Sequence, residues 1–147
     1  MLDAVAGRFD SRATATGRAI EVDADPEAVL TGDRVRIEQA LGNLVDNALR
    51  HGSGAIWLGA AERNGVLELS VTDGGAGFPP EFLPHAFERF SRADVARAGA
   101  GAGLGLAIVD AIARAHGGSA AARNEAGEGA SIVVRIPAAS LPHRALI

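Results

Sequence analysis

Cysteine, lysine and tyrosine are all absent from this sequence. Without cysteine, disulfides, thiolate catalysis and cysteine-based metal sites are excluded. Without lysine, the 14 basic residues are all arginine. Any contact to phosphate must therefore use arginine, histidine or backbone N–H groups. The missing lysine and tyrosine read as a compositional habit and carry no functional signal. Long apolar runs are also missing, and none approaches the roughly 18 residues that span a bilayer. The opening "MLDAVAGRFD" lacks the basic-then-apolar layout of a signal peptide. The chain is expected in the cytoplasm, with no membrane contact of its own. Positive charge is in deficit too: the net charge is −4, which argues against a nucleic-acid groove.

What is present is a globular composition. Hydrophobic residues make up 48% and charged residues 22% of 147 residues, enough for one domain with a real core. Residues 2 to 17 show helical spacing through Leu2, Val5, Phe9 and Ala13. "AIEVDA" and "AVLTGD" predict short strands. Asp33 is a plausible N-cap for a helix from about 34 to 50, with Gly52 as its stop. "AIWLGAAE" and "VLELSVTD" predict a hairpin joined by "RNG". Residues 79 to 103 are irregular. A further helix is expected from Leu104 to about His116, closed by Gly117-Gly118. "GSAAARNEA" and "ASIVVRIP" predict a last strand pair, and Pro137 is expected to end the ordered fold, leaving 138–147 as a tail. Helices interspersed with hairpins suggest a mixed sheet covered by helices on one face.

Three stretches carry chemistry. In "LGNLVDNALRHG", Ile37, Leu41, Leu44 and Ala48 form the apolar stripe, while Asn43, Asn47 and Arg50 form a second, polar one. Asparagine competes with the helix backbone for hydrogen bonds, and Gly42 costs about 1 kcal/mol relative to alanine. Taken alone, this face slightly favours an ordinary solvated surface over a ligand site. In "VTDGGAGFP", a strand ends at Asp73 and glycines follow. That pattern is often only a turn. It also suits an acceptor-only carboxylate at the floor of a pocket, matched to a donating ligand edge such as the 6-amino group of adenine. In "RAGAGAGLGLAIVDAIARAHGG", alternating glycines run into a helix, whose exposed N–H groups favour an anion. Four of the five phenylalanines fall between 78 and 90. "FERF" is either a local packing cluster or the anchor of a lid, with Arg89, Arg92 and Arg97 available for phosphates.

In this order the motifs resemble the ATP-binding catalytic domain of sensor histidine kinases, in the gyrase/Hsp90-like superfamily. "NLVDNALRHG" is similar to that family's N box, "DGGAGF" to its first glycine box, "FERF" to its F box and "GAGLGLAIV" to its second glycine box. "GEGASIVVRIP" resembles the short terminal glycine motif. The resemblance covers residues 1 to 137, with a lid at about 79–103. It implies an α/β two-layer sandwich of the Bergerat type: a mixed, mostly antiparallel sheet with about three helices on one face.

The resemblance also implies roles. Asn47 would ligand Mg²⁺, with Asn43 beside the metal and phosphates. Arg50 and His51 would face the phosphates. Asn43, Asn47 and Arg50 would form the catalytic set. Asp73 would read the adenine of ATP, supported by Gly75 and Gly77. Gly101, Gly103 and Gly105 would approach the phosphate chain, and Phe87, Phe90, Leu104 and Leu106 would complete the nucleotide site. Arg50 and His51 stand where the family often has Lys and Tyr. Gly74 replaces a common Asn, Ala102 a common Ser or Thr, and Ala130 a common Thr.

Such kinases phosphorylate a histidine introduced by an H-E-x-x-P-like motif. His51, His85, His116 and His143 all lack that context. The expected partner is thus a dimerisation domain carrying the phosphoacceptor histidine, in cis or in trans, with a response regulator downstream. The longer protein could be membrane-anchored. An ATP-hydrolysing relative or an anti-sigma-factor serine kinase is the alternative. Both tend to carry Glu where this chain has Asn43, and the serine kinases lack "FERF".

Overall fold

The computed structural model describes residues 1–88, 105–125, 129–138 and 144–146. The elements run α1 (Leu2–Ala15), β1 (Ile20–Ala24), β2 (Val29–Thr31), α2 (Arg34–His51), β3 (Ile56–Arg63), β4 (Val66–Asp73), α3 (Gly105–Ala115), β5 (Ser119–Asn124), β6 (Ala130–Pro137) and β7 (Arg144–Leu146). A 3-10 turn at Leu83–His85 lies between β4 and α3.

Five strands form one sheet in the order β1-β3-β4-β6-β5. β1 runs parallel to β3, and the remaining pairs are antiparallel. The β3–β4 turn is Asn64-Gly65, with φ of 52° and 75°. Both residues are left-handed, as a two-residue hairpin turn matched to strand twist requires. β4 alternates strictly, burying Leu67, Leu69, Val71 and Asp73. The period of two points these residues to the helical side of the sheet. Ile56, Leu58 and Ala60 of β3 and Ile132, Val134 and Ile136 of β6 join them in one core. The other face of the sheet carries Trp57 and the ion pair of Glu68 with Arg135 at 2.8 Å.

The helices supply the other half of the core. α2 buries Ile37, Ala40, Leu41, Leu44, Val45 and Ala48, a stripe at helical spacing. Asp33 caps it by accepting the Arg36 N–H at 3.2 Å. Its far end is closed by Arg18, which donates to the carbonyls of Ala48 at 3.1 Å and Leu49 at 3.3 Å. A cation over the negative end of the helix dipole is favourable. α3 buries Leu106, Val109, Ile112 and Ala113. It ends in a Schellman motif: Gly118 donates to Ala113 and Gly117 to Arg114, each at 2.9 Å.

His116 then ties α3 to the start of α2. Its Nδ1 lies 2.8 Å from the Ile112 carbonyl, and its Nε2 accepts the Asp33 N–H at 3.0 Å. Those partners fix the neutral tautomer with the proton on Nδ1. His116 thus links the two helices as well as standing at the end of α3.

The expected one-sided helical cover is present. The expected tail is not featureless, however. Arg144–Leu146 pairs antiparallel with β2, Leu146 opposite Val29 and Arg144 opposite Thr31. Pro137 ends β6, since it cannot donate to a ladder, but strand pairing resumes beyond it. No helix among the described residues is long and apolar enough to cross a membrane.

Candidate nucleotide site

α2 ends beside the start of α3. Asn43, Asp46, Asn47, Arg50 and His51 line a pocket of about 80 Å³ there with Gly105 and Leu106. The helical spacing that aligns Asn43, Asn47 and Arg50 brings them to this one place, away from the buried stripe. Asn43 Nδ2 donates to the Gly105 carbonyl at 3.4 Å, a long bond linking the two helices. Size does not single this pocket out. Hollows of about 490 Å³ between α2 and α3 and about 500 Å³ on the open sheet face are larger. Its chemistry does: two side-chain amides, a carboxylate and two basic residues face one space.

Asp46 was not among the residues expected at the site. Its Oδ2 accepts from Arg50 Nε at 3.0 Å and its Oδ1 from Arg12 Nη1 at 2.8 Å. The signal was available, since Asp46 precedes Arg50 by four residues on a helix. The pair sets the direction of Arg50, which is otherwise half exposed.

Asp73 lies at the end of β4 and is only 5% exposed. It occupies the next inward position after Val71, where the alternation would place a core residue. Its Oδ1 accepts the Gly75 N–H at 2.8 Å. Glycines crowd it from two further directions. A Cβ on Gly52 would overlap its Oδ2, and a Cβ on Gly129 would stand 2.6 Å from Oδ1. Gly52 directly follows His51, so the pocket end of α2 leads straight to Asp73. In the sequence, Gly52 signals only a helix stop and Gly129 only part of a short terminal motif.

Gly77 takes φ 82°. Phe78 and Phe82 are buried with ring centroids 5.2 Å apart, and Phe87 packs on the core as a partly buried residue. Phe90, Gly101, Gly103 and Leu104 lie outside the described residues, as do Arg89, Arg92, Arg97, Ala102 and most of the expected lid.

The donors fit a hard cation. Asn43 and Asn47 offer neutral oxygen, and the described residues hold no group of three or more His, Cys, Asp or Glu that could cage a metal. Mg²⁺ suits such a site, because it keeps waters and takes few protein ligands beside substrate phosphates.

Residues 32–140 match the family described as histidine kinase-, DNA gyrase B- and HSP90-like ATPase. The chain is 42% identical over 127 residues to the sensor histidine kinase component HK1 of Mycobacterium tuberculosis, covering 86% of this chain and 76% of that one. It is 41% identical over 121 residues to the sensor histidine kinase YkoH of Bacillus subtilis, covering 80% of this chain and 27% of YkoH. Of these two relatives, the chain spans about three quarters of one and about a quarter of the other. Among solved structures, full-length ShkA in complex with AMPPNP aligns with a TM-score of 0.81 at 33% identity, over 92% of this chain and 29% of that one. The nucleotide-free catalytic domain of the histidine kinase ThkA aligns at 0.78 and 27% identity, over 92% and 90%. The chain belongs to the histidine kinase-, DNA gyrase B- and HSP90-like ATPase family, as the catalytic part of a histidine protein kinase.

Proposed function

We propose that the chain binds Mg²⁺-ATP and donates the γ-phosphoryl group to a histidine on a separate dimerisation domain. The observation that carries this reading is Asp73. A carboxylate stands in a core register position, held by the Gly75 N–H and enclosed by Gly52 and Gly129. The alternation of β4 would place an apolar residue there. An acceptor-only group so placed suits the exocyclic amino group of adenine.

The α2 pocket supplies the phosphate end. Asn47 would hold the metal through its carbonyl oxygen, with Asn43 next to it. When bound, the cation neutralises charge on the β- and γ-phosphates. Arg50 can meet a phosphate while Nε stays on Asp46, because a guanidinium has five N–H donors. His51 adds a further donor. Gly105, at the start of α3, lies where the helix dipole favours an anion. In the transfer, the bond from the γ-phosphorus to its bridging oxygen breaks and a nitrogen–phosphorus bond to the imidazole forms, leaving ADP. The chain's own residues position and stabilise charge; the nucleophile comes from the partner. Asn43 cannot take a proton from water at neutral pH, which weighs against rapid hydrolysis. A response regulator would accept the phosphoryl group next.

Competition between ATP and GTP for a fluorescent ATP analogue tests the base assignment. Guanine presents a carbonyl to Asp73, and two buried acceptors facing each other cost roughly 1–3 kcal/mol or more. ATP should compete at least tenfold better, and Asp73→Asn should erase the preference. Equal competition by both nucleotides would overturn the assignment.

A further inference from the structure

Asn124 stands at the end of β5 and was assigned no role by the sequence. Its amide bonds the backbone of Phe78 twice. Oδ1 accepts the Phe78 N–H at 2.7 Å, and Nδ2 donates to the Phe78 carbonyl at 2.9 Å. The two bonds fix the orientation of the amide, because the N–H must meet oxygen and the carbonyl must meet nitrogen. Aspartate lacks the donor, glutamine is a methylene too long, and serine is too short to reach both. Gly77 makes way for this clamp. A Cβ there would stand 2.6 Å from Asn124 Oδ1, and its φ of 82° disfavours a side chain besides.

The turn from Asp73 to Phe78 is thereby tied at both ends. Upstream, Gly75 donates to Asp73. Downstream, the residues between have no polar side chain to hold them, and Asn124 takes that part. Phe78 is 3% exposed, so its backbone cannot shift without moving the core.

We infer that Asn124 is a positioning residue for recognition of the nucleotide base. It acts through Phe78 and Gly77 to hold the glycine turn against which a flat ring would lie. The inference rests on the adenine reading of Asp73.

The test is displacement of a fluorescent ATP analogue by ATP and by GTP, using the intact chain and its Asn124→Ala, Asn124→Asp, Gly77→Ala and doubly substituted Gly77→Ala/Asn124→Ala forms. Circular dichroism and melting accompany each. Asn124→Ala should weaken ATP binding roughly tenfold and lower the ATP-over-GTP preference. Gly77→Ala should do the same by displacing the clamp, and the double variant should fall short of the sum. If the alanine form does not fold, Asn124→Asp carries the test. It keeps the acceptor for the Phe78 N–H and sets a carboxylate against the carbonyl, so its preference should fall as well. A folded variant with lower melting but unchanged ATP affinity and preference would make Asn124 a stability clamp only and overturn the inference. Absence of any ATP preference in the unsubstituted chain would overturn the adenine reading, and this inference with it.

Discussion

Asp73 lies so close over Gly52 that a side chain at position 52 has no room. A Cβ there would overlap Oδ2 and would stand 2.8 Å from the Ala48 carbonyl. Gly52 has a φ of −92°, open to any residue, so the constraint is space alone. The carboxylate occupies the volume that a side chain at this helix end would take.

Gly52→Ala should therefore displace Asp73, destabilise the fold by about 1–3 kcal/mol through overpacking, and weaken ATP binding. Thermal melting and ATP titration check both effects. Unchanged melting and affinity would show that the carboxylate can move aside freely.

Gly42, in the same helix, makes the opposite case. Phe9 of α1 lies 3.7 Å from where its Cβ would stand, and the nearest atom, at 3.3 Å, is the flexible end of Arg8. Nothing there demands glycine. Gly42→Ala should raise stability by about 0.5–1 kcal/mol, read as a higher urea midpoint with an unchanged slope. A lower midpoint would mean that Arg8 and Phe9 cannot yield.

Asn47→Ala should abolish the Mg²⁺-dependent part of ATP binding while leaving circular dichroism and melting near those of the unsubstituted chain. Asn47 is half-buried in the α2 pocket and off the stripe of Leu44, Val45 and Ala48. Titrating ATP with and without Mg²⁺ separates the two contributions. Unfolding of the variant would instead make Asn47 a structural residue.

Much of this was legible in sequence because local chemistry agrees with the fold. Asp33 at a helix start, Asn64-Gly65 between alternating runs and Gly117-Gly118 after a periodic stretch each signal their own geometry. The partners that come from distant segments were not legible. Asn124 reaching Phe78, Gly129 abutting Gly75 and His116 accepting from Asp33 leave no periodic trace, since each joins residues far apart in the chain. β7 was missed because three residues after a proline-rich break are too few to show alternation. Asp46 is half legible: Arg50 lies four residues on along the same helix, but its second partner, Arg12, comes from α1 and leaves no trace in the spacing.

The most direct test of the central claim is incubation of the chain with γ-labelled ATP and Mg²⁺, first alone and then with a dimerisation domain bearing a phosphoacceptor histidine. Alone, the chain should bind ATP but neither label itself nor hydrolyse ATP at a useful rate, because an asparagine at position 43 offers no base and the nucleophile is missing. With the partner, label should appear on the partner as an acid-labile, base-stable phosphohistidine, and Asn47→Ala should abolish it. Rapid hydrolysis by the chain alone, or an acid-stable phosphoserine on the partner, would contradict the account.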